Sequence, residues 1–197
     1  MSEISKLINQ IIKEGLAPLL KKEGFKKTGH NFYRELSNRT EVLNIQASRW
    51  NEKSEGEFTV NLGVYFPEIA HITEAIPFKG MPKEYNCTVN KRIGHLLENG
   101  CDHWWKISPS ANLNHLAEDL TQKVKKYGLP WLEKMADLNI LKEELKNNNR
   151  AFVASGVALL LNSKQDALNY LQLAYKQQPL ASENIKAWGI KHELIKA

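Results

Sequence analysis

Side chains that could do chemistry gather in two places in this 197-residue chain. The first is the run Cys101-Asp102-His103, preceded by His95. A thiol two residues from an imidazole can form a nucleophile–base pair, because the thiolate is the reactive species and the imidazole can take its proton. The same four residues are metal-ligand types, but they lack the paired C-x-x-C or H-E-x-x-H spacing that sets tetrahedral ligands. On a strand, Asp102 and His103 would also point to opposite faces. No metal site is expected. A buried structural thiol is the simpler reading of Cys87 and Cys101. There is no G-x-x-x-x-G-K-[ST] or G-x-G-x-x-G phosphate cradle. Carboxylate pairs such as Glu118/Asp119 and Glu143/Glu144 stand among lysines as solvated helix faces. No cofactor is expected, and catalysis has less support than binding.

The second place is a set of amides, hydroxyls and aromatics, which strands must position. Three strand-like runs, 30–36, 40–50 and 57–66, are separated by short turn segments and read as an antiparallel meander. Leu43, Ile45 and Ala47 share one face with Phe58, Val60, Leu62, Val64 and Phe66, which should be the core side. The opposite parity carries Asn44, Gln46, Ser48 and Trp50, then Thr59, Asn61, Gly63 and Tyr65. That face is polar yet nearly uncharged, whereas a solvent-facing sheet tends toward Lys, Glu and Thr. Either a later segment (67–86 or the C-terminal helices) covers it and satisfies its amides, or it is a recognition surface.

Helices complete the frame. Residues 3–22 place Ile4, Leu7, Ile8, Ile11, Ile12, Leu19 and Leu20 at helical spacing, with Ser2 as cap, a kink expected at Pro18 and an end at Gly24. Residues 67–86, with Pro67, Pro77, Gly80 and Pro82, show no sustained period. Strand-like runs resume at 85–93 and 103–107 around an Asn99-Gly100 turn. A helix over 113–126 should stop at Gly128 and Pro130, with Trp131 and Leu132 packing its end. From 137 onward the chain reads as helices over 137–146, 151–161, 164–177 and 183–195. The expected fold class is α+β: an antiparallel sheet with the N-terminal and following helices packed on it, plus an all-helical C-terminal tail. The expected organisation is an α+β domain at 1–135 and a helical extension at 136–197.

Charge and composition narrow the partners. Lys+Arg of 27 against Asp+Glu of 22 gives +5, a mild excess that permits a nucleic-acid partner without indicating one. Trp50, Trp104 and Trp105 could stack on bases with Arg34, Arg49 and Arg92 nearby, but no aromatic–basic motif of an RNA-binding sheet is present. No run approaches the roughly 20 apolar residues of a membrane helix, and no secretory leader is visible. Two cysteines imply no disulfide framework. The expected location is therefore the cytoplasm, with no membrane partner.

Several blocks carry a family resemblance. The run 16–25 (LAPLLKKEGF), then Phe32-Tyr33-Arg34, residues 44–49 (NIQASR), residues 58–65 (FTVNLGVY), residues 87–94 ending Arg92-Ile93-Gly94, and Asp102 through Trp105 resemble the bacterial family catalogued as domain of unknown function 4304. The resemblance spans about residues 5–132. It implies an intracellular α+β domain, carries no established activity, and draws attention to Arg34, Gln46, Ser48, Asn61 and Arg92. Residues 152–179 are similar to a single tetratricopeptide-type helical hairpin through Phe152, Gly156, Leu159, Ala167, Leu171, Ala174 and Pro179.

The residues favour a binding or interaction module whose amide- and aromatic-rich sheet face recognises a protein partner or a small polar ligand. Gln46, Ser48 and Asn61 would supply neutral hydrogen bonds, and Arg34 a carboxylate or phosphate contact. Trp50 and Tyr65 would be apolar walls, with Arg92 beside them. Two alternatives stay open: a small hydrolase or transferase using Cys101 and His103, and a nucleic-acid-binding protein.

Overall fold

The structure, a computed structural model, describes residues 2–76 and 78–196; Pro77, expected as a breaker in the 67–86 connection, lies outside the described residues. In chain order, α1 (Glu3–Ile11) starts at Ser2, whose hydroxyl accepts from the Ser5 N–H at 3.2 Å. A π-helical turn, Ile12–Leu16, leads into α2 (Ala17–Lys22). Strands β1 (Lys26–Thr28), β2 (Asn31–Glu35), β3 (Thr40–Ala47) and β4 (Gly56–Tyr65) follow, then α3 (Pro67–Ile72). The short strands β5 (Val89–Arg92) and β6 (Trp105–Ile107) precede α4 (Leu113–Lys123), a second π-helical turn (Val124–Gly128) and α5 (Leu129–Lys134). The chain ends in α6 (Leu138–Asn147), α7 (Ala151–Leu160), α8 (Lys164–Gln177) and α9 (Ser182–Lys191). The fold is α+β, an antiparallel sheet with helices before and after it and a helical C-terminal region.

Two compact units emerge. One contains Met1–Tyr65 and Lys79–Glu133; the other combines Phe66–Phe78 with Lys134–Ala197. In the first unit every strand pairing is antiparallel, in the order β1-β2-β3-β4-β5. Strand β4 is long enough to pair twice on the same side, with β5 through Asn61–Val64 and with β6 through Gly56–Phe58. The chain between β5 and β6 therefore loops out beside the middle of β4, and this gap positions the site described below.

The apolar parity along β3 and β4 lies in the core as expected, but β4 is buried on both faces from Phe58 to Val64, so Thr59 and Asn61 of the polar face are covered as well. Leu43, Ile45, Phe58, Val60, Leu62 and Val64 are fully buried or nearly so, as are Ile4, Ile8, Ile11, Leu16 and Leu20 of the helices. Close approach of α4 to the first π-turn depends on Gly15. A Cβ there would lie 2.8 Å from both the Ala117 carbonyl oxygen and Thr121 Oγ1. On this face Gly128 lies against Leu62, where an added Cβ would find the Leu62 methyls at 3.6 Å.

Two features differ from the sequence-based expectation. Strand β1 was not anticipated: its three residues are all exposed, so no alternation marks them. The helix expected to stop at Gly128 continues through the second π-turn into α5, across Pro130. The physical reason recurs at Pro18. In each case the residue just before the proline donates five residues back, Ala17 to Ile12 and Leu129 to Val124. A π-turn shifts the hydrogen-bond register, so the ring that lacks an N–H enters at the start of a fresh α-helical ladder.

The second unit packs α3 with the four C-terminal helices. α7 and α8 form a hairpin, with the buried Ser155 hydroxyl donating to the Ala167 carbonyl at 2.7 Å. Gly156 lets α3 approach: a Cβ there would sit 2.5 Å from Thr73 Cγ2. Trp188 of α9 stacks edge-on against Phe152 at 5.0 Å and donates its indole N–H to the Ile72 carbonyl at 2.7 Å. Ala151, Leu171, Ala174 and Ile185 complete that core. Among the described residues no helix is long and apolar enough to cross a membrane.

Candidate functional site

The polar face of the sheet is organised by register. Asn31 pairs with Asn44, Asn44 with Asn61, and Asn61 with Arg92, so four polar side chains stand in one row across β2, β3, β4 and β5. They are joined by hydrogen bonds. Asn44 Nδ2 donates to Asn31 Oδ1 at 2.9 Å. Asn61 Nδ2 donates to Asn44 Oδ1 at 3.3 Å and to Gln46 Oε1 at 2.8 Å. Arg92 Nε donates to Asn61 Oδ1 at 3.2 Å. Asn61 is buried, while Asn31, Asn44, Gln46 and Arg92 are half-buried.

The loop between β5 and β6 closes the Arg92 end. Arg92 Nη1 reaches Asp102 Oδ2 at 2.8 Å, and its guanidinium lies over the Trp104 ring at 5.1 Å. Trp104 Nε1 donates to the same Asp102 oxygen at 2.9 Å. Burial works to raise the Asp102 pKa, but the Trp104 and Arg92 donors and the Arg92 charge outweigh it and hold the carboxyl below its usual range. Thr59, fully buried one step along the face, donates to the His103 carbonyl at 2.8 Å. Two residues along β4 on the other side of Asn61, Cys87 packs over Gly63, where a Cβ would meet Cys87 Sγ at 2.6 Å. Along β4, Asn61 thus lies between two covered positions, Gly63 under Cys87 and Thr59 under the 101–104 loop.

The seven residues singled out from sequence separate into four places. Gln46, Asn61 and Arg92 come together in the row. Ser48 and Trp50 lie past the end of β3, by an open depression of about 480 Å³ that also involves Glu52, Glu55, Glu57 and Lys106. Trp50 is 75% exposed, with the Arg49 guanidinium 4.9 Å over its ring. Tyr65 is half-buried beside the Tyr33, Val42 and Cys87 cluster. That puts it roughly 13 Å along β4 from Asn61, at strand rise.

Arg34 stands on the opposite side of the sheet, sharing the parity of the buried Phe32. Its Nε and Nη2 hold Glu41 Oε2 at 2.7 and 2.6 Å, while Arg39 takes Oε1 at 3.1 Å. Glu41 is fully buried, so Arg34 serves an internal carboxylate rather than a ligand facing the amides.

Cys101 and His103 are not joined. The exposed Cys101 thiol donates to the Asn99 carbonyl at 3.3 Å. The His103 ring lies edge-on to Trp105 at 4.5 Å, and its Nε2 is buried with no partner among the described residues. Burial, with a smaller contribution from Lys123, lowers the His103 pKa. Among the described residues no group of three or more His, Cys, Asp or Glu side chains could hold a metal ion.

Sequence reasoning missed Asn31 and gave Asp102 and Trp104 other roles. A parity count along 30–36 would have found Asn31, which alternates with Phe32 and faces Asn44. Asp102 and Trp104 reach the row through a loop, and loops carry no periodic signal.

An antiparallel sheet with helices on its apolar face and a hydrogen-bonded amide row on the other defines an α+β domain with a polar sheet floor. The chain belongs to the family described as domain of unknown function (DUF4304), whose model matches residues 16–134. No curated protein and no solved structure matches it.

Proposed function

We propose that this protein is a binding module of the bacterial cytoplasm, whose polar sheet face recognises a small polar ligand in preference to a protein partner. One observation supports this reading above the others: the neutral amides of Asn31, Asn44 and Asn61 are linked in series and end on Arg92, yet most of the row stays half-buried rather than sealed. A purely structural polar layer would be satisfied within the protein. Here the internal bonds fix side-chain orientation and leave the Asn31 and Gln46 amide nitrogens without an acceptor among the described residues. A surface with few, positioned polar groups suits a small molecule, whereas a protein interface draws on apolar and aromatic anchors spread over a larger area. A cytoplasmic location suits two cysteines that are both free thiols.

The test is capture of small molecules. Purified protein is equilibrated with a metabolite extract of the source cells, separated by rapid gel filtration, and the retained compounds are identified by mass spectrometry. The same is done with a Gln46→Ala/Asn61→Ala variant of verified fold. A compound held by the wild type and lost from the variant supports the reading; equal retention by both sinks it.

A further inference from the structure

We infer that the ligand group seated on the amide row is a carboxylate, because Arg92 sets the polarity of the row so that the amide nitrogens of Gln46 and Asn31 are left without an acceptor. This rests on the reading of the face as a binding site. Arginine has donors and no acceptor. The Asn61 oxygen must therefore face Arg92 Nε, and its Nδ2 must face β3. Both groups that meet Asn61 Nδ2, on Asn44 and Gln46, must then present oxygen. Asn44, with its oxygen so committed, turns its nitrogen to Asn31, which in turn must present oxygen. One guanidinium thus sets the polarity of four amides.

The consequence lies at the open positions. Asn61 has both N–H groups and its oxygen engaged. Gln46 Nε2, Asn31 Nδ2 and Arg92 Nη2 have no acceptor among the described residues. Gln46 and Asn31 are diagonal neighbours across β3 and β2, roughly 7–8 Å apart at the backbone, within reach of one bound group. The groups left without any partner are all donors, one of them on a guanidinium, whereas each amide oxygen already accepts one bond. A carboxylate, which offers acceptors only and suits a guanidinium edge, complements that set. A ligand presenting ammonium or guanidinium would leave the Gln46 and Asn31 N–H groups unpaired.

The experiment resolves the side-chain amide signals of Asn31, Asn44, Gln46 and Asn61 by ¹H–¹⁵N NMR and titrates two probes. Sodium acetate is the acceptor, run against sodium chloride of equal ionic strength, and methylguanidinium chloride is the donor. Acetate is expected to shift the Asn31 and Gln46 NH₂ signals, and methylguanidinium to leave them in place. In Asn61→Asp the new oxygen faces β3, so Gln46 must turn its NH₂ inward. Its solvent exchange slows, acetate affinity falls by about tenfold or more, and methylguanidinium now shifts the face. Added charge alone could weaken acetate but would not protect the Gln46 NH₂. Gln46→Glu, at a half-buried position, keeps the oxygen that Asn61 needs and replaces the outward donor by an acceptor. It should lose acetate even if Asn61→Asp does not fold. Methylguanidinium binding to the wild type without acetate would overturn the carboxylate assignment while leaving a binding face. No shift of the face with either probe would overturn both.

Discussion

At the scale of single residues, charge placement separates what holds the fold from what faces a ligand. Glu41 is fully buried between Arg34 and Arg39, whose side chains are only 21% and 16% exposed. Glu41→Gln leaves two guanidinium groups short of their carboxylate. The expected loss is about 2 kcal/mol in urea denaturation, since charge-assisted bonds contribute roughly 1.5–3 kcal/mol each and arginine ends can still reach water. Arg34→Met should cost stability by the same route and leave ligand capture unchanged; a variant of native stability that loses the ligand would put Arg34 back in the site. Asp102 makes the opposite case, an exposed carboxylate at the end of the amide row. Its pKa is depressed in the folded state from the ordinary 3.8, so it binds a proton less readily folded than unfolded. The stability it contributes is present above pH 3.8 and is lost as pH falls through and below that value. Asp119, lowered despite burial by Lys123 and Trp105, titrates in the same window. Asp102→Asn should therefore flatten part of the decline in stability as pH falls through and below 3.8, and leave the remainder to Asp119 and the other paired carboxylates. Superimposable curves for variant and wild type would mean that the Arg92–Asp102–Trp104 contact gives the fold nothing.

At the scale of elements, close approach is set by glycine and continuity by register. Gly15 sits where α4 touches the first π-turn, with 2.8 Å between its would-be Cβ and the Ala117 carbonyl. Gly15→Ala gains up to ~1 kcal/mol in helix propensity but must push the two helices apart, at a cost of about 1–3 kcal/mol. A net destabilisation is expected in thermal and urea melts; a stabilised variant would show that α4 moves away freely. The same element scale explains what could be read in advance. The apolar parity of β3 and β4 was legible because apolar and polar residue types alternate over strands of eight and ten residues, long enough for the period to stand out. Strand β1 was not, since Lys26-Lys27-Thr28 buries nothing and is held only by its pairing with β2. Pro130 read as a stop because the π-turn before it is a product of packing, with Val124 and Gly128 buried, and has no sequence period of its own. The amide character of the second face was legible residue by residue. Its wiring was not, because it needs the Asn61↔Arg92 register and a loop that returns Asp102.

At the scale of the molecule, one helix of the family-matched stretch packs with residues outside it. The match runs from 16 to 134, yet α3 belongs to the unit completed by Lys134–Ala197. The link is specific: Ile72 accepts from the Trp188 indole across 116 residues of chain, and Lys191 pairs with Glu74 beside it. A contact so distant in sequence closes a long loop, and its entropy must be offset by burial around Trp188, which is 3% exposed and packed on Phe152. Trp188→Phe keeps much of the apolar body and removes the donor. The Ile72 carbonyl then lacks its partner at the end of α3, and the expected loss is about 1 kcal/mol. Trp188→Ala, which also opens a cavity against Phe152 and Ile185, should cost about 3–5 kcal/mol. Hydrogen exchange distinguishes a joint from a mere filler. If α3 and α9 form one cooperative piece, the Phe variant speeds exchange at Thr73 and Ala70, whose amides bond to Ile69 and Phe66, together with amides of α9. Faster exchange confined to α9 would mean that α3 holds its place without the indole, and that the second unit is assembled by apolar contact alone.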